Sequence, residues 1–216
     1  QNHALQMTKE LIETKGFRKL IVVGGDGTLN EVVNSVFKQN RFRTMEIQIG
    51  LITVGTGNDW GRMYEIPESY KEQVNILKAG KFILQDIGVV KYRHASDEDA
   101  RYFANIAGMG YDALVAKKTN LMKQKGKGGA IVYLLNLLSG LFQYKNVQLD
   151  IEADGKKVFS GKVFSMSIGI GKYNGAGMMQ LPNAIPDDGL FDVTLIKKTT
   201  KMRVVKNIKN LYDGSF

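Results

Sequence analysis

A chain of 216 residues with 44% hydrophobic and 24% charged residues has the make-up of a folded protein with a real core, in one large domain or two small ones. It holds no cysteine and only two histidines, His3 and His94; this excludes a disulfide framework and a thiolate metal site, argues against zinc, and fits a reducing cytoplasm. A net charge of +9 favours anionic partners, whether nucleotides, anionic lipid surfaces or nucleic acid, without choosing among them.

The first residues carry no signal or transit pattern. Because the chain starts without methionine and stops mid-pattern at Phe216, it reads as a fragment of a longer protein. Ala4, Met7 and Leu11 recur at helical spacing and predict a helix ending near Lys15-Gly16. Lys19 to Val23 is a short apolar strand, and a glycine turn leads from it into a helix striped by Val33, Val36 and Phe37. Ile47 to Val54 is a second strand, followed by a second glycine turn. Ser69 with Glu72 predicts a capping box for a helix carrying Tyr70, Val74 and Leu77 and closed by Gly80. This alternation implies a parallel sheet flanked by helices.

Beyond Gly80 the pattern becomes β-rich. Strands are expected at Phe82 to Tyr92, Tyr102 to Ala107, around Val147, Leu149 and Ile151, at Val158 to Ile168 after an Asp154-Gly155 hairpin turn, and at Phe191 to Ile196. A helical insert from Tyr111 to Tyr144 carries Ile131, Leu134, Leu135 and Leu138 on one face. Its most apolar part, Ala130 to Phe142, is too short to span a bilayer. Lys197 to Phe216 reads as helical and basic.

Two motifs carry the chemistry. Gly24-Gly25-Asp26-Gly27-Thr28 opens a helix, where backbone N–H groups and the positive helix end make an anion cradle. The carboxylate in its centre repels phosphate, so it implies a bridging cation or a hydroxyl to be oriented. Alone, the motif also fits a strand-to-helix turn capped by Asp26. It is neither a Walker loop nor the dinucleotide fingerprint. Gly55-Thr56-Gly57-Asn58-Asp59 repeats the arrangement after the next strand. In a parallel sheet both turns lie at the carboxyl ends of strands, which forms a nucleotide cleft with Thr28, Asn30, Thr56 and Asn58 as donors to phosphate.

These two turns, together with Asp86-Ile87-Gly88, Phe103-Ala104-Asn105-Ile106-Ala107-Gly108-Met109-Gly110 and Pro186-Asp187-Asp188-Gly189-Leu190-Phe191-Asp192, resemble the catalytic region of the diacylglycerol kinases. The likeness is strongest to the bacterial soluble lipid kinases, relatives of sphingosine kinases and, more distantly, of NAD kinases. It implies an N-terminal three-layer α/β domain with a parallel sheet, residues 1–81, and a C-terminal mostly antiparallel β-sandwich, residues 82–216. It further implies ATP and Mg²⁺ as cofactors, with ATP held by Gly24, Gly25, Asp26, Gly27, Thr28, Leu29 and Asn30 and by Thr56, and with Asp59 ordering the cleft. A structural magnesium would sit on Asp188 and the carbonyls of Ile185 and Leu190; the bland alternative there is an ordinary turn. Relatives begin with a strand and helix bearing an Asn-Pro signature and end with a segment that returns to the first domain with an acidic general base. Neither has a counterpart here, which leaves Asp26 as the catalytic candidate and implies that the fragment alone is inactive.

The implied activity is phosphorylation of a lipid hydroxyl by a cytoplasmic protein, peripheral at the inner face of the membrane, where it meets its lipid substrate. Lys117, Lys118, Lys123, Lys125 and Lys127, beside the apolar Ala130 to Phe142 stretch, suit anionic headgroups or form a solvated loop. Lys197, Lys198, Lys201, Arg203, Lys206 and Lys209 read as a solvent-facing helix surface. Aromatics are not interleaved with these charges, which argues against nucleic acid. The alternatives are an NAD kinase-like phosphotransferase and a nucleotide- or lipid-binding module without catalysis. The sequence specifies neither the lipid nor the oligomeric state.

Overall fold

The computed structural model describes residues 3–94, 97–124, 135 and 139–215. Strands β1 (Lys19–Gly24) and β2 (Gln48–Thr53) pair in parallel, with Val22 opposite Leu51 and Gly24 opposite Thr53. Helices α1 (His3–Glu13) and α2 (Asp26–Lys38) cover one face. There Val22 and Leu51 bury against Ile12 and against Leu29, Val32, Val33 and Val36, a stripe at the helical repeat. Each such side chain contributes about 1.5–3 kcal/mol by leaving water. On the other face α4 (Tyr70–Ala79) lays Leu77 over Gly50, where any Cβ would collide with it. The layers are therefore α/β/α, as expected. Ile21 and Val23 remain exposed beside Leu77, so β1 is buried on one face rather than both.

The expected capping box at Ser69 is not formed. Ser69 makes no side-chain cap bond and Glu72 is exposed, while the inward residue of α4 is Gln73. Its amide accepts from Thr53 N–H at 2.8 Å and donates to Thr53 Oγ1 at 2.9 Å and to the Pro67 carbonyl at 2.7 Å. The helix is thus anchored through a polar side chain, and Tyr70 and Val74 face outward. It ends, as its sequence predicts, at Gly80 with φ 63°.

The second half contains the antiparallel hairpin β3 (Gly88–His94) and β4 (Asp97–Phe103). It also contains a four-stranded antiparallel sheet of β5 (Ile106–Gly110), β6 (Val147–Ala153), β7 (Lys156–Gly169) and β8 (Asp192–Lys197), with β7 pairing all three others. Two expected strands are corrected. Residues 81–87 are irregular, because Gln85 and Asp86 bond to α3 (Asp59–Met63) and to distant loops instead of to a neighbouring strand. The run from Tyr102 to Ala107 breaks at Ala104-Asn105, where the Asn105 carbonyl accepts from Ile170 and Gly171 as the chain passes between sheets. The Asp154-Gly155 hairpin turn forms with both residues at positive φ, 51° and 74°.

Helix α5 (Tyr111–Gln124) follows β5, and residues 139–143 are again helical. Tyr111, Val115 and Leu141 share a core with Phe164 and Met178. Of the expected apolar face of the insert, Leu135 is exposed, and Ile131, Leu134 and Leu138 lie outside the described residues, as do Lys125 and Lys127. The basic tail forms two short helices, α6 (Lys201–Lys206) and α7 (Asn210–Asp213). The β3–β4 hairpin packs on α2. Asn34 Nδ2 donates to the Tyr102 carbonyl at 2.8 Å and Asn34 Oδ1 accepts from Tyr102 N–H at 3.0 Å, so the amide stands in for a neighbouring strand.

Candidate functional site

The two glycine turns touch backbone to backbone. A Cβ on Gly55 would lie 2.7 Å from Gly25 Cα, and one on Gly25 would lie 3.0 Å from Gly55 Cα. Any larger residue at either position would force the turns apart. Gly25 is the N-cap of α2, and the first helical bond runs from Leu29 N–H to the Gly25 carbonyl. The N–H groups of Asp26, Gly27 and Thr28 therefore have no acceptor within the helix. Space around Gly27 is open. Here the positive end of a 13-residue helix faces a cavity of roughly 450 Å³ lined by Asp26, Gly27, Thr28, Thr56, Asp59, Thr119 and Ala176.

Asp26 is an organiser of this cleft. Its Oδ2 accepts from Asp59 N–H at 3.1 Å and its Oδ1 from Trp60 N–H at 3.0 Å, so it caps α3 (Asp59–Met63) from the neighbouring turn. Asp59 repeats the device across the molecule. Its carboxylate accepts from Ala176 N–H at 3.0 Å and Gly177 N–H at 2.7 Å. Gly175, Ala176 and Gly177 all have positive φ, and consecutive amides in that conformation form a nest for an anion. Burial pushes the Asp59 carboxyl above its ordinary value; the Ala176 and Gly177 amides oppose the shift and the Asp26 charge adds to it. Arg62, one turn along, lies against Gly177 and 5.9 Å from the Tyr173 ring centroid. A second cavity of roughly 660 Å³, lined by Gly55, Thr56, Asn58, Arg62, Glu65 and Tyr70, opens on the other side of the second turn.

Thr28, Thr56, Asp26 and Asp59 converge on the first cavity, whereas three other expected nucleotide residues are differently employed. Leu29 is 3% exposed and belongs to the core, since it faces inward on the α2 stripe. Asn30 donates to the Tyr102 carbonyl at 3.1 Å. Asn58 closes its own turn, its amide accepting from Gly55 N–H at 3.0 Å and donating to the Gly55 carbonyl at 2.8 Å, with its backbone at φ 49°. These amides shape the cleft and are not aimed into it. Gly24 is packed on Thr28, where a Cβ would meet the Thr28 side chain at 2.7 Å.

The loop carrying Ile185, Asp188 and Leu190 is held by Asp86. Gly189 N–H donates to Asp86 Oδ2 at 2.7 Å, and Asp86 N–H donates to the Pro186 carbonyl at 2.8 Å. Asp188 Oδ1 accepts from Leu190 N–H at 3.0 Å, which turns the loop tightly. Asp187 and Asp188 on this exposed loop carry the hard oxygen donors that magnesium takes. Among the described residues no cluster of three or more acidic or histidine side chains gathers as a metal site. Gln85, next to Asp86, accepts from Trp60 Nε1 and Tyr64 Oη at 2.7 Å each and donates to the Ala104 carbonyl at 2.5 Å. Burial, reinforced by Asp187, pushes the Tyr64 phenol up. Arg62, Gln85 and the 175–177 nest carried no motif in sequence; only the Gly-Ala-Gly run hinted at the nest.

The family described as "Diacylglycerol kinase catalytic domain" matches residues 1–90, and that described as "YegS C-terminal NAD kinase beta sandwich-like domain" matches residues 105–216. The chain belongs to the diacylglycerol kinase family. A diacylglycerol kinase of Staphylococcus carnosus is 33% identical over 182 residues, 84% of this chain and 55% of the relative. One of Staphylococcus aureus is 34% identical over 181 residues, 83% of this chain and 53% of the relative. The chain thus spans little more than half the length of these kinases. A crystal structure of a diacylglycerol kinase from Bacillus anthracis covers all of this chain and 64% of its own, with a TM-score of 0.67 at 20% identity, and so supports the fold. A second structure from the same strain gives a TM-score of 0.70 at 23% identity, over 68% of that chain. No helix among the described residues of this diacylglycerol kinase-family chain is long and apolar enough to cross a membrane.

Proposed function

We propose that the full-length protein transfers the γ-phosphoryl group of ATP to a hydroxyl of diacylglycerol or a related long-chain lipid. The observation that carries this reading is the backbone contact between two glycine turns, which sets the amino end of α2 and the Asp26 carboxylate on one cavity. The α2 amides and the hydroxyls of Thr28 and Thr56 hold phosphate oxygens, while Asp26 orients the acceptor hydroxyl toward the phosphorus. Asp26 has capacity for this, because a carboxylate offers about four acceptor sites and two are used by Asp59 and Trp60. Asp59 keeps the 175–177 nest against the cleft, which positions the wall from which the acceptor approaches. Magnesium would be held by Asp188 and the Ile185 and Leu190 carbonyls, with Asp86 fixing their loop; when bound it supplies positive charge that orders and neutralises anionic groups.

The lipid meets the protein at the inner face of a membrane. Support comes from the exposed Leu121, Leu135 and Phe142 and the exposed Lys117, with Lys118 bonded to Gln143 at 2.8 Å and the Lys201 ammonium 5.8 Å from the Phe142 ring centroid. The full-length protein incubated with γ-labelled ATP and, separately, diacylglycerol, sphingosine and NAD should label diacylglycerol. Label in NAD alone would replace this reading with the NAD kinase alternative, and nucleotide binding without transfer would leave a binding module.

A further inference from the structure

Phe142 and Met202 are each 67% exposed, and they belong to two neighbouring elements whose other faces are core. In the helical stretch 139–143, Leu141 is buried while Phe142 points out. In α6, Val204 packs with Ile208 and Leu211 on the core of Tyr111, Leu141 and Phe164. At the helical repeat this turns Met202, Arg203 and Lys206 outward, with the exposed Val205 at the edge. Lys201 joins the two elements: its ammonium donates to the Phe142 carbonyl and lies 5.8 Å from the Phe142 ring centroid. Val205 follows Lys201 by one turn and stands beside Met202 at i, i+3. Phe142, Val205 and Met202 therefore form one apolar strip set among cations.

The charge around this strip has one sign. Residues 193–212 hold six basic side chains, Lys197, Lys198, Lys201, Arg203, Lys206 and Lys209, and no acidic one. None of the six pairs with a carboxylate among the described residues, whose ion pairs all fall on other segments. Lys162 of β7 adjoins them, its carbonyl accepting from Lys198 N–H at 2.8 Å. A solvated surface accounts for the cations, but not for a phenylalanine, a methionine and a valine exposed between them. Duplex nucleic acid would engage the cations and leave those three side chains in water. A bilayer surface takes both, apolar side chains at the acyl boundary and ammonium groups among the headgroups. We propose that α6 and residues 139–143 form a membrane-docking face for anionic bilayers, with Phe142, Val205 and Met202 entering the interface and the six cations meeting lipid phosphates. The proposal rests on the reading that the lipid is met at a membrane, and adds which face makes the contact and which charge it requires.

The test is cosedimentation of the full-length protein with unilamellar vesicles in the absence of ATP, so that the result does not depend on catalysis. The vesicles are phosphatidylcholine alone, or an equal mixture of phosphatidylcholine and phosphatidylglycerol. Binding is expected to the mixed vesicles, weakening as salt is added, and not to phosphatidylcholine alone. A basic residue near an anionic surface raises partitioning roughly fivefold, so Arg203→Gln/Lys206→Gln should lower it about 25-fold. Met202→Gln should lower it about fivefold or more by removing an inserted apolar group. All three side chains are exposed and make no hydrogen bond among the described residues, so phosphorylation of a short-chain, water-soluble diacylglycerol should be unchanged. Equal binding to both kinds of vesicle, or unchanged binding in Arg203→Gln/Lys206→Gln, overturns the proposal. Unchanged binding in Met202→Gln overturns it too, because contact through charge alone would fit a nucleic acid as well. Binding as expected by a protein that transfers no phosphate overturns the kinase reading and leaves the docking face in place.

Discussion

Replacing Asp59 by asparagine perturbs the one side chain that joins the second glycine turn to the 175–177 nest. Asp59 is 6% exposed and its two oxygens take the N–H groups of Ala176 and Gly177. In Asp59→Asn one oxygen becomes a carboxamide NH2 that faces a backbone N–H. One hydrogen bond is kept and the other becomes a donor–donor contact. Losing a bond to a charged acceptor costs about 1.5–3 kcal/mol, and the orphaned N–H adds roughly 1–3 kcal/mol. Relief from burying a charge returns part of this, which leaves a net loss of about 2 kcal/mol. The pH dependence has a definite sign. Burial raises the folded-state pKa of Asp59 above its ordinary value, so the folded protein binds this proton more tightly than the unfolded chain. The stability Asp59 contributes is therefore greatest below the unfolded pKa and declines as pH rises through the raised folded value. Asparagine does not titrate, so the deficit of the variant should be largest at acid pH and smallest near neutrality. Paired urea melts of the full-length protein and the variant between about pH 4 and pH 8 read this directly. A deficit that grows with pH would mean that the nest amides outweigh burial, and would refute the reasoning.

Two further outcomes are expected. Gly55→Ala places a methyl 2.7 Å from Gly25 Cα, so the turns must separate; ATP affinity, read by calorimetry, should fall at least tenfold (about 1.4 kcal/mol), while a variant binding ATP normally would show that the contact is dispensable. Asp86→Ala removes the acceptor for Gly189 N–H and loosens the Asp188 loop, so half-maximal activity should need several-fold more Mg²⁺, as it should in Asp188→Ala; an unchanged Mg²⁺ titration in both would remove the metal from that loop.

Much of this site was legible because glycine and aspartate mark turns at the ends of apolar strands, and the turns at 24–28 and 55–59 needed no distant information. The layered α/β half was legible for the same reason: Val33, Val36 and Phe37 mark the inward stripe of α2, which Leu29 and Val32 extend. What failed was long-range. Phe82, Ile83 and Leu84 look like strand residues, yet all three are exposed, because the segment's hydrogen bonds run to α3, Ala104 and the Pro186 loop. Gln73 carries no signal of burial in the sequence, yet it is buried, since Thr53 and Pro67 take its amide in three hydrogen bonds. Asn30 and Asn58 carry the right chemistry for phosphate, but their partners, Tyr102 and Gly55, decide their use. No local pattern could join Asp59 to Gly177, 118 residues away.

The most direct test is transfer of label from γ-labelled ATP to diacylglycerol by the full-length protein and by Asp26→Asn. The account predicts that turnover falls by roughly 10²-fold or more, while a urea melt shows a fold that stays cooperative, weakened by about the 1–3 kcal/mol that one orphaned N–H costs. An Asp26→Asn protein that phosphorylates diacylglycerol at the wild-type rate would contradict it.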